Sequence, residues 1–326
     1  MRYLITGGAG FIGSHLADHM LAQGSDCRVT ILDNLSTGRY TNIAHLENDS
    51  RVNLLIGSVL DVNLLNDALR NSDGVFHLAS AVGVKLVLEK PVQAVETIVR
   101  GTGNVLELAS RYRKPVLITS TSEVYGKSTD SPFREEGDMV MGATDKQRWA
   151  YASAKALEEF FALAHYRETR LPVIITRLFN IVGPRQTGRY GMVLPTFVRQ
   201  ALAGQPLTIY GDGQQTRCFG HVTDVVEGLA KIMATPSARG QVVNLGSNRE
   251  VTIQQLAELV KKQLHSSSPL QFIPYTQAYV DGFEDMARRV PCIEKAGRLI
   301  GFTPKRTLED CILEIARYFR EQQPDE

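Results

Sequence analysis

A tyrosine and a lysine four residues apart, in Tyr151-Ala152-Ser153-Ala154-Lys155, carry the strongest hint of chemistry in this 326-residue chain. On a helix, positions i and i+4 share one face, so the phenol and the ammonium point the same way. A phenol ordinarily titrates at about 10. A nearby cation stabilises the phenolate and brings that value down, which turns a tyrosine into a base for an alcohol proton. The spacing alone is common, and a surface Tyr and Lys on an amphipathic helix satisfy it equally well. Its meaning depends on the segments around it.

A second signal lies near the N-terminus. Gly7-Gly8-Ala9-Gly10-Phe11-Ile12-Gly13 follows a short apolar run and opens a helical pattern. Both GxxGxxG (Gly7, Gly10, Gly13) and GxGxxG (Gly8, Gly10, Gly13) fit it. Such glycines permit a tight turn and let backbone N–H groups, with Phe11 and Ile12 leading into the helix, approach a pyrophosphate at the positive helix end. Asp33, twenty residues beyond Gly13, ends the next apolar run, with Asn34 after it. A carboxylate there holds ribose hydroxyls and repels a 2′-phosphate, so NAD is expected rather than NADP. Asp61 and Val62 are candidates for the adenine end; Asp61 serves equally well as the N-cap of a helix from Asn63 to Leu69. Leu78 and Ala79, after the fourth apolar run, complete the expected cofactor set with Tyr151 and Lys155.

The elements that must position these residues follow from the hydrophobic pattern. Tyr3 to Thr6, Val29 to Leu32, Leu54 to Ile56, Val75 to Leu78, Val116 to Thr119 and Val173 to Thr176 read as strands buried on both faces. Amphipathic stretches such as Ser14 to Gln23, Val92 to Arg111 and Ala152 to Arg167 alternate with them. This order predicts an α/β fold: a doubly wound parallel sheet of Rossmann type with right-handed crossovers. After Asn180 the texture changes, with Gly183-Pro184-Arg185 and Tyr210-Gly211-Asp212-Gly213 as punctuation. Thr252 to Leu264 and Leu308 to Arg320 read as closing helices there. The expected division is residues 1–179 as the dinucleotide-binding domain, with 218–247 returning to it through a strand at Val242 to Leu245. Residues 180–217 and 248–326 then form a smaller, discontinuous substrate domain at the C-terminal edge of the sheet.

Composition excludes several classes. Lys+Arg number 36 against 35 Asp+Glu, so no basic excess draws the chain to nucleic acid or anionic lipid. Hydrophobic residues make up 43%, enough for a sizeable core. No apolar run approaches the roughly 20 residues of a membrane helix. The opening MRYLITGG reads as a strand, not a signal peptide. Cys27, Cys218, Cys292 and Cys311 are far apart, which fits a reducing cytoplasm and argues against a disulfide framework or a metal site.

Five segments together carry a family resemblance: TGGAGFIGSHL (Thr6 to Leu16), HLAS (His77 to Ser80), STSEVYG (Ser120 to Gly126), YASAK, and RLFNIVGPR (Arg177 to Arg185). They closely resemble the extended short-chain dehydrogenases/reductases that act on nucleotide sugars as 4-epimerases, 4,6-dehydratases and decarboxylases. The resemblance implies Tyr151 as base, Lys155 as its electrostatic partner and ribose ligand, and Thr121, less readily Ser122, as hydrogen-bond partner of the reacting sugar oxygen. Val82 and Asn180 are implied at the substrate. His77 reads as a buried polar residue at a strand end. Leu207 to Arg217 resembles the family segment beside the nucleotide base, with Tyr210 lining it or simply packing and Arg217 on the diphosphate. Arg185 and Arg189 are weaker anion candidates. The family also implies a homodimer through a four-helix bundle built from Val92–Arg111 and the Tyr151 helix, with Val95, Ile98, Val99, Leu106 and Ala109 available to it.

Two features choose among the reactions. Glu123 stands where simple UDP-glucose epimerases carry a small or apolar residue, and where dehydratases and UDP-glucuronate decarboxylases carry Glu. A carboxylate there can move protons, or disfavour a substrate carboxylate and promote its loss. Gly282 to Pro291 resembles the segment of UDP-glucuronate decarboxylases whose Arg lies near the sugar carboxylate; Arg289 matches that Arg. The alternatives are a solvated Arg288–Arg289 pair, or Arg289 on the diphosphate. The expected function is UDP-glucuronate decarboxylation to UDP-xylose through a 4-keto intermediate. Gln186 to Met192 departs from the decarboxylase pattern and keeps a UDP-glucose or UDP-glucuronate 4-epimerase as the rival. A 4,6-dehydratase, and an NAD-binding regulatory protein without catalysis, are the further alternatives.

Overall fold

The computed structural model describes residues 1–80, 91–187, 192–274, 286 and 288–322. The elements in chain order are β1 (Arg2–Thr6), α1 (Phe11–Ala22), β2 (Arg28–Asp33), β3 (Val52–Ile56), α2 (Val62–Arg70), β4 (Gly74–His77), α3 (Pro91–Tyr112), β5 (Val116–Thr121), α4 (Arg148–Thr169) and β6 (Val173–Phe179). There follow β7 (Ile181–Val182), α5 (Val193–Leu202), β8 (Leu207–Tyr210), β9 (Thr216–Cys218), β10 (Gly220–His221), α6 (Val222–Met233) and β11 (Gln241–Gly246). The chain closes with β12 (Glu250–Thr252), α7 (Ile253–Leu264), β13 (Leu270–Ile273), α8 (Glu294–Ile300) and α9 (Leu308–Gln322).

Seven parallel strands form one sheet in the order β11-β6-β5-β4-β1-β2-β3. The order reverses at β1/β4, as the doubly wound reading requires. The central strands are mostly apolar because both faces are covered; every residue of β4 and β6 is buried. On one face, α1 and α6 bring Leu16, Met20, Val225 and Leu229 onto the sheet. On the other, α2, α3 and α4 contribute Leu69, Leu106 and Ala162. A separate apolar cluster unites α5, β8, α7 and α9 through Phe197, Ile209, Leu256 and Ile312. It lies beyond the sheet core, on residues where the sequence pattern marks only α7 and α9 as helices. The helices α5, α6 and α8 are not read from that pattern; α8 is only seven residues long.

The apolar residues of α3 that could serve either a partner or the chain's own core divide. Ile98, Leu106 and Ala109 are buried within the chain. Leu106 and Ala109 belong to the core under the sheet, because α3 packs on the strands as well as on α4. Val95 and Val99 of α3 are partly exposed, and exposed apolar residues lie at Val92 of α3 and at Leu157, Phe160 and Phe161 of α4. Among the described residues, no helix is long and apolar enough to cross a membrane.

Candidate active site

Strand β5 ends at Thr121, and its hydroxyl caps the short turn Ser122–Tyr125 by accepting the Glu123 N–H at 3.3 Å. The turn swings Glu123 out over the C-terminal edge of the sheet, toward the start of α4. One Glu123 oxygen meets Arg289 Nη1 at 2.7 Å; the other meets Arg148 Nη2 at 3.2 Å. All three side chains are largely buried. Burial alone would raise the Glu123 carboxyl, but Arg289 and then Arg148 outweigh it, and the group is held below the usual carboxylate range. Glu123 is therefore a fixed anion between two cations.

Of the readings the sequence left open for Arg288–Arg289, the structure excludes a solvated pair. Arg288 is exposed and pairs with Glu250 at 2.8 Å. Arg289 turns inward. Its segment is pinned from both sides of Val290-Pro291: Phe133 N–H donates to the Val290 carbonyl and Cys292 N–H to the Phe133 carbonyl, each at 2.8 Å.

Tyr151 and Lys155 lie one turn apart on α4. The Tyr151 phenol faces the Thr121 and Ser80 hydroxyls. The expectation that its surroundings lower its pKa is not met by the chain alone. Burial first, then the charges of Glu123 and Glu158, raise it, and the two hydroxyls oppose the rise only in part. Next to it, Lys155 Nζ donates to both oxygens of Glu158, at 2.9 and 2.8 Å, with both side chains almost wholly buried. One turn further along, Glu159 binds the Arg177 guanidinium of β6 at 2.7 Å and accepts from Ser120 of β5, which fastens α4 to the strand that carries Thr121.

The glycine loop between β1 and α1 is built as a cradle. Gly7 has φ +72°, and a Cβ there would lie 2.8 Å from the Ala79 amide nitrogen. A Cβ on Gly13 would collide with the Gly7 carbonyl. At Gly10 the nearest obstacle is the Gly7 carbonyl at 3.1 Å. Helix α1, with Phe11 and Ile12 in its first turn, starts from Gly10 with no side-chain cap and no acidic first-turn residue. Its leading N–H groups are thus available to an anion, which fits a pyrophosphate. Asp33 ends β2, nearly buried, and accepts from Ala9 N–H at 2.9 Å and Leu35 N–H at 2.8 Å. Its carboxyl is raised by burial against those bonds. These residues fit an NAD-type dinucleotide.

Other expected residues fall in mixed places. Asp61 caps α2, accepting from Asn63 and Leu64 N–H, and Val62 begins that helix, half-exposed. Asn34 is exposed and accepts from Ser36 N–H. Leu78 N–H and Ala79 N–H bond to the Thr6 carbonyl and hydroxyl, which ties the strand end to the glycine loop. Ser122 is buried. Asn180, at φ +42°, donates to the Cys218 carbonyl. Arg217 is buried, donates to the Thr216 carbonyl and contributes to the field on Glu123. Tyr210 is 38% exposed. Arg185 pairs with Asp18 of α1 at 2.7 Å, so it is held on the α1 side and not with the Glu123 cluster. Val82 and Arg189 lie outside the described residues.

Residues 4–315 match the family described as GDP-mannose 4,6 dehydratase. The chain belongs to this family. It is a member of the extended short-chain dehydrogenases/reductases, as its motifs imply. The chain is similar to the UDP-N-acetyl-alpha-D-glucosaminuronate decarboxylase of Bacillus cytotoxicus, at 42% identity over 99% of both chains. It is also similar to UDP-glucuronic acid decarboxylase 1 of Arabidopsis thaliana, at 36% identity over 98% of this chain and 70% of that one. Among solved structures, the UDP-glucuronic acid 4-epimerase of Bacillus cereus, in complex with UDP-glucuronic acid and NAD, superposes with a TM-score of 0.89 at 27% identity. That alignment covers 99% of this chain and all of the other.

Sequence reasoning missed Arg148 and Glu158. Each had a signal only in its spacing from the motif: Arg148 lies three residues before Tyr151 and Glu158 three after Lys155, so all four fall on one helix face.

Proposed function

We propose that this protein is an NAD-dependent decarboxylase of a UDP-linked uronic acid, converting UDP-glucuronate to UDP-xylose through a 4-keto sugar. The observation that carries the reading is Glu123 held between Arg148 and Arg289. Two guanidiniums against one carboxylate leave one positive charge over, beside the base. A neutral hexose offers nothing to that charge, whereas a uronate carboxylate neutralises it. The relatives named as decarboxylases support the same choice.

NAD, when bound in the glycine cradle and on Asp33, supplies the hydride acceptor and donor. Tyr151 takes the C4 hydroxyl proton as C4 becomes a carbonyl, and Thr121 donates a hydrogen bond to that oxygen. The C6 carboxylate is then β to a ketone. The C5–C6 bond breaks, its electron pair moves into an enolate on O4, and CO2 departs. Glu123 stays ionised at neutral pH, so its part is to crowd the substrate carboxylate with like charge while Arg289 and Arg148 orient it. C5 takes a proton, and Tyr151 returns its proton to O4 as C4 is reduced. The net change is uronate plus a proton to pentose plus CO2.

Asn180, Ser122, Tyr210 and Arg217 are assigned to the nucleotide-sugar. The residues 1–179 with 218–247 are assigned to the cofactor unit, and 180–217 with 248–326 to the substrate unit, in keeping with the separate cluster around Phe197 and Leu256. The exposed Leu157, Phe160 and Phe161 on α4 support a homodimer across α3 and α4.

A second reading, a UDP-uronate 4-epimerase, is favoured by the superposition on the Bacillus cereus enzyme. Incubation of the NAD-loaded protein with UDP-glucuronate separates the two. CO2 and UDP-xylose are expected; UDP-galacturonate without CO2 would overturn the decarboxylase reading.

A further inference from the structure

The Lys155–Glu158 pair does not stand alone. Glu158 accepts from the Thr102 hydroxyl of α3. Thr102 Oγ1 lies 3.0 Å from His77 Nε2, and His77 Nδ1 lies 2.7 Å from Thr6 Oγ1, the residue before the glycine loop. Thr6 Oγ1 accepts the Ala79 N–H at 3.3 Å. His77 and Thr102 are all but inaccessible to water, as is Thr6.

The direction of every bond in this string can be assigned. Burial raises the Glu158 carboxyl, and the Lys155 charge and its two N–H bonds oppose that rise; held by the ammonium as the carboxylate it is acceptor-only, so Thr102 donates to it and must receive from His77. His77 is kept neutral, since burial and then the Lys155 charge push its pKa down to about 3. It therefore carries its proton on Nε2 and accepts from Thr6 on Nδ1. The polarity runs from Ala79 N–H through Thr6, His77 and Thr102 to Glu158, where Lys155 donates from the other side. The string thus joins the cofactor loop to the catalytic lysine, with the Glu158 charge fixing its sense.

We propose that Glu158 is a positioning residue for the reaction: it clamps the Lys155 ammonium and withholds part of its charge from Tyr151, so that the phenol becomes an effective base chiefly when the dinucleotide is present. The proposal rests on the reading of Tyr151 as the base. Two of the three ammonium N–H groups go to Glu158, leaving the third for another acceptor such as a ribose hydroxyl. The clamp also places a second buried anion near the phenol, in addition to Glu123.

Among the described residues, the charged groups around this centre come from several packed elements, with Arg217 of β9 also acting on Glu123. From the turn after β5 comes Glu123, offset by Arg148 and Arg289; from β4, neutral His77; from α4 itself, Glu159, already paired with Arg177 of β6. Helix α3 contributes the uncharged Thr102. Removing the Glu158 charge thus leaves Lys155 as the unbalanced cation beside the phenol.

The test is a phenolate absorbance titration of NAD-loaded protein, with the curve of the Tyr151→Phe protein subtracted so that only Tyr151 is read. Glu158→Gln, which keeps an acceptor for Thr102, is expected to move the Tyr151 midpoint down by about one pH unit or more, the scale of a nearby-charge effect. The acid limb of kcat/KM on UDP-glucuronate is expected to move the same way. Glu158→Asp keeps the charge and withdraws it by one methylene, and its midpoint is expected between the two; it also serves if the Gln protein does not fold. An unmoved midpoint in the Gln protein, or in the Asp protein if that alone folds, overturns the proposal even where turnover falls, since that is the behaviour of a merely structural residue. If Tyr151→Phe keeps near-normal turnover, the base assignment itself has failed, a result distinct from an unmoved midpoint.

Discussion

Replacing Glu123 with glutamine separates two roles for that carboxylate. Arg289 and Arg148 hold it at 2.7 and 3.2 Å. A substrate carboxylate that uses the same guanidiniums must come within about 5 Å of it. Two unit charges at that distance repel by ~3 kcal/mol at an effective dielectric constant of about 20, and by ~0.8 kcal/mol in bulk water. Glu123→Gln removes that repulsion and raises the cluster's net charge by one. UDP-glucuronate is therefore expected to bind the variant more tightly, by roughly 4-fold to roughly 250-fold, while CO2 release per turnover slows. KM and kcat falling together is the signature of relieved ground-state strain. Calorimetric titration of NAD-loaded protein measures the first quantity, and single-turnover CO2 release the second. Weaker binding of UDP-glucuronate to Glu123→Gln would refute the crowding argument and leave Glu123 as an anchor for its arginines.

Other outcomes follow from the same geometry. Tyr151→Phe is expected to bind NAD normally and lose at least ~100-fold in turnover, the usual scale for a general base; near-normal CO2 release would remove Tyr151 from that role. Asp33→Ala should narrow the preference for NAD over NADP by about tenfold, the scale of one or two lost hydrogen bonds, as read by binding titration of both dinucleotides; an unchanged ratio contradicts the ribose assignment. His15 and His77 are driven by burial to about 4 and about 3, from an ordinary 6.5. The unfolded chain thus binds protons that the native chain refuses, and this contribution to stability is lost as pH falls from about 6.5 toward 3. The melting temperature should drop across that window, and less steeply in His77→Gln; an identical slope would show that His77 does not contribute.

The cofactor half was legible because glycine carries positional meaning. Gly7 and Gly13 admit no Cβ for reasons of local backbone contact, and that constraint is written directly into residue type. The strands were legible for a similar reason: β4, β5 and β6 each carry an apolar run (Val75–Phe76, Val116–Ile118, Val173–Ile175) because both faces are covered. The electrostatics of the site were less so. Glu158 and Glu159 look like solvated charges on an amphipathic helix, yet their face of α4 packs on α3 and the sheet, and both carboxylates are buried, Glu158 with Lys155 of its own helix and Thr102 of α3, Glu159 with Arg177 of β6. Arg148 likewise reads as a helix-start cation, and only the position of the turn after β5 turns it onto Glu123. The sense of the Tyr151 shift could not be read from YxxxK, because the lysine's charge is shared with a carboxylate that the motif does not specify.

The most direct measurement is a crystal structure of the NAD-loaded Tyr151→Phe protein with UDP-glucuronate. The account predicts the C6 carboxylate within hydrogen-bond distance of Arg289 or Arg148 and the C4 hydroxyl beside Thr121 and the residue 151 ring. A uronate turned away from both arginines, with C4 remote from residue 151, would contradict it.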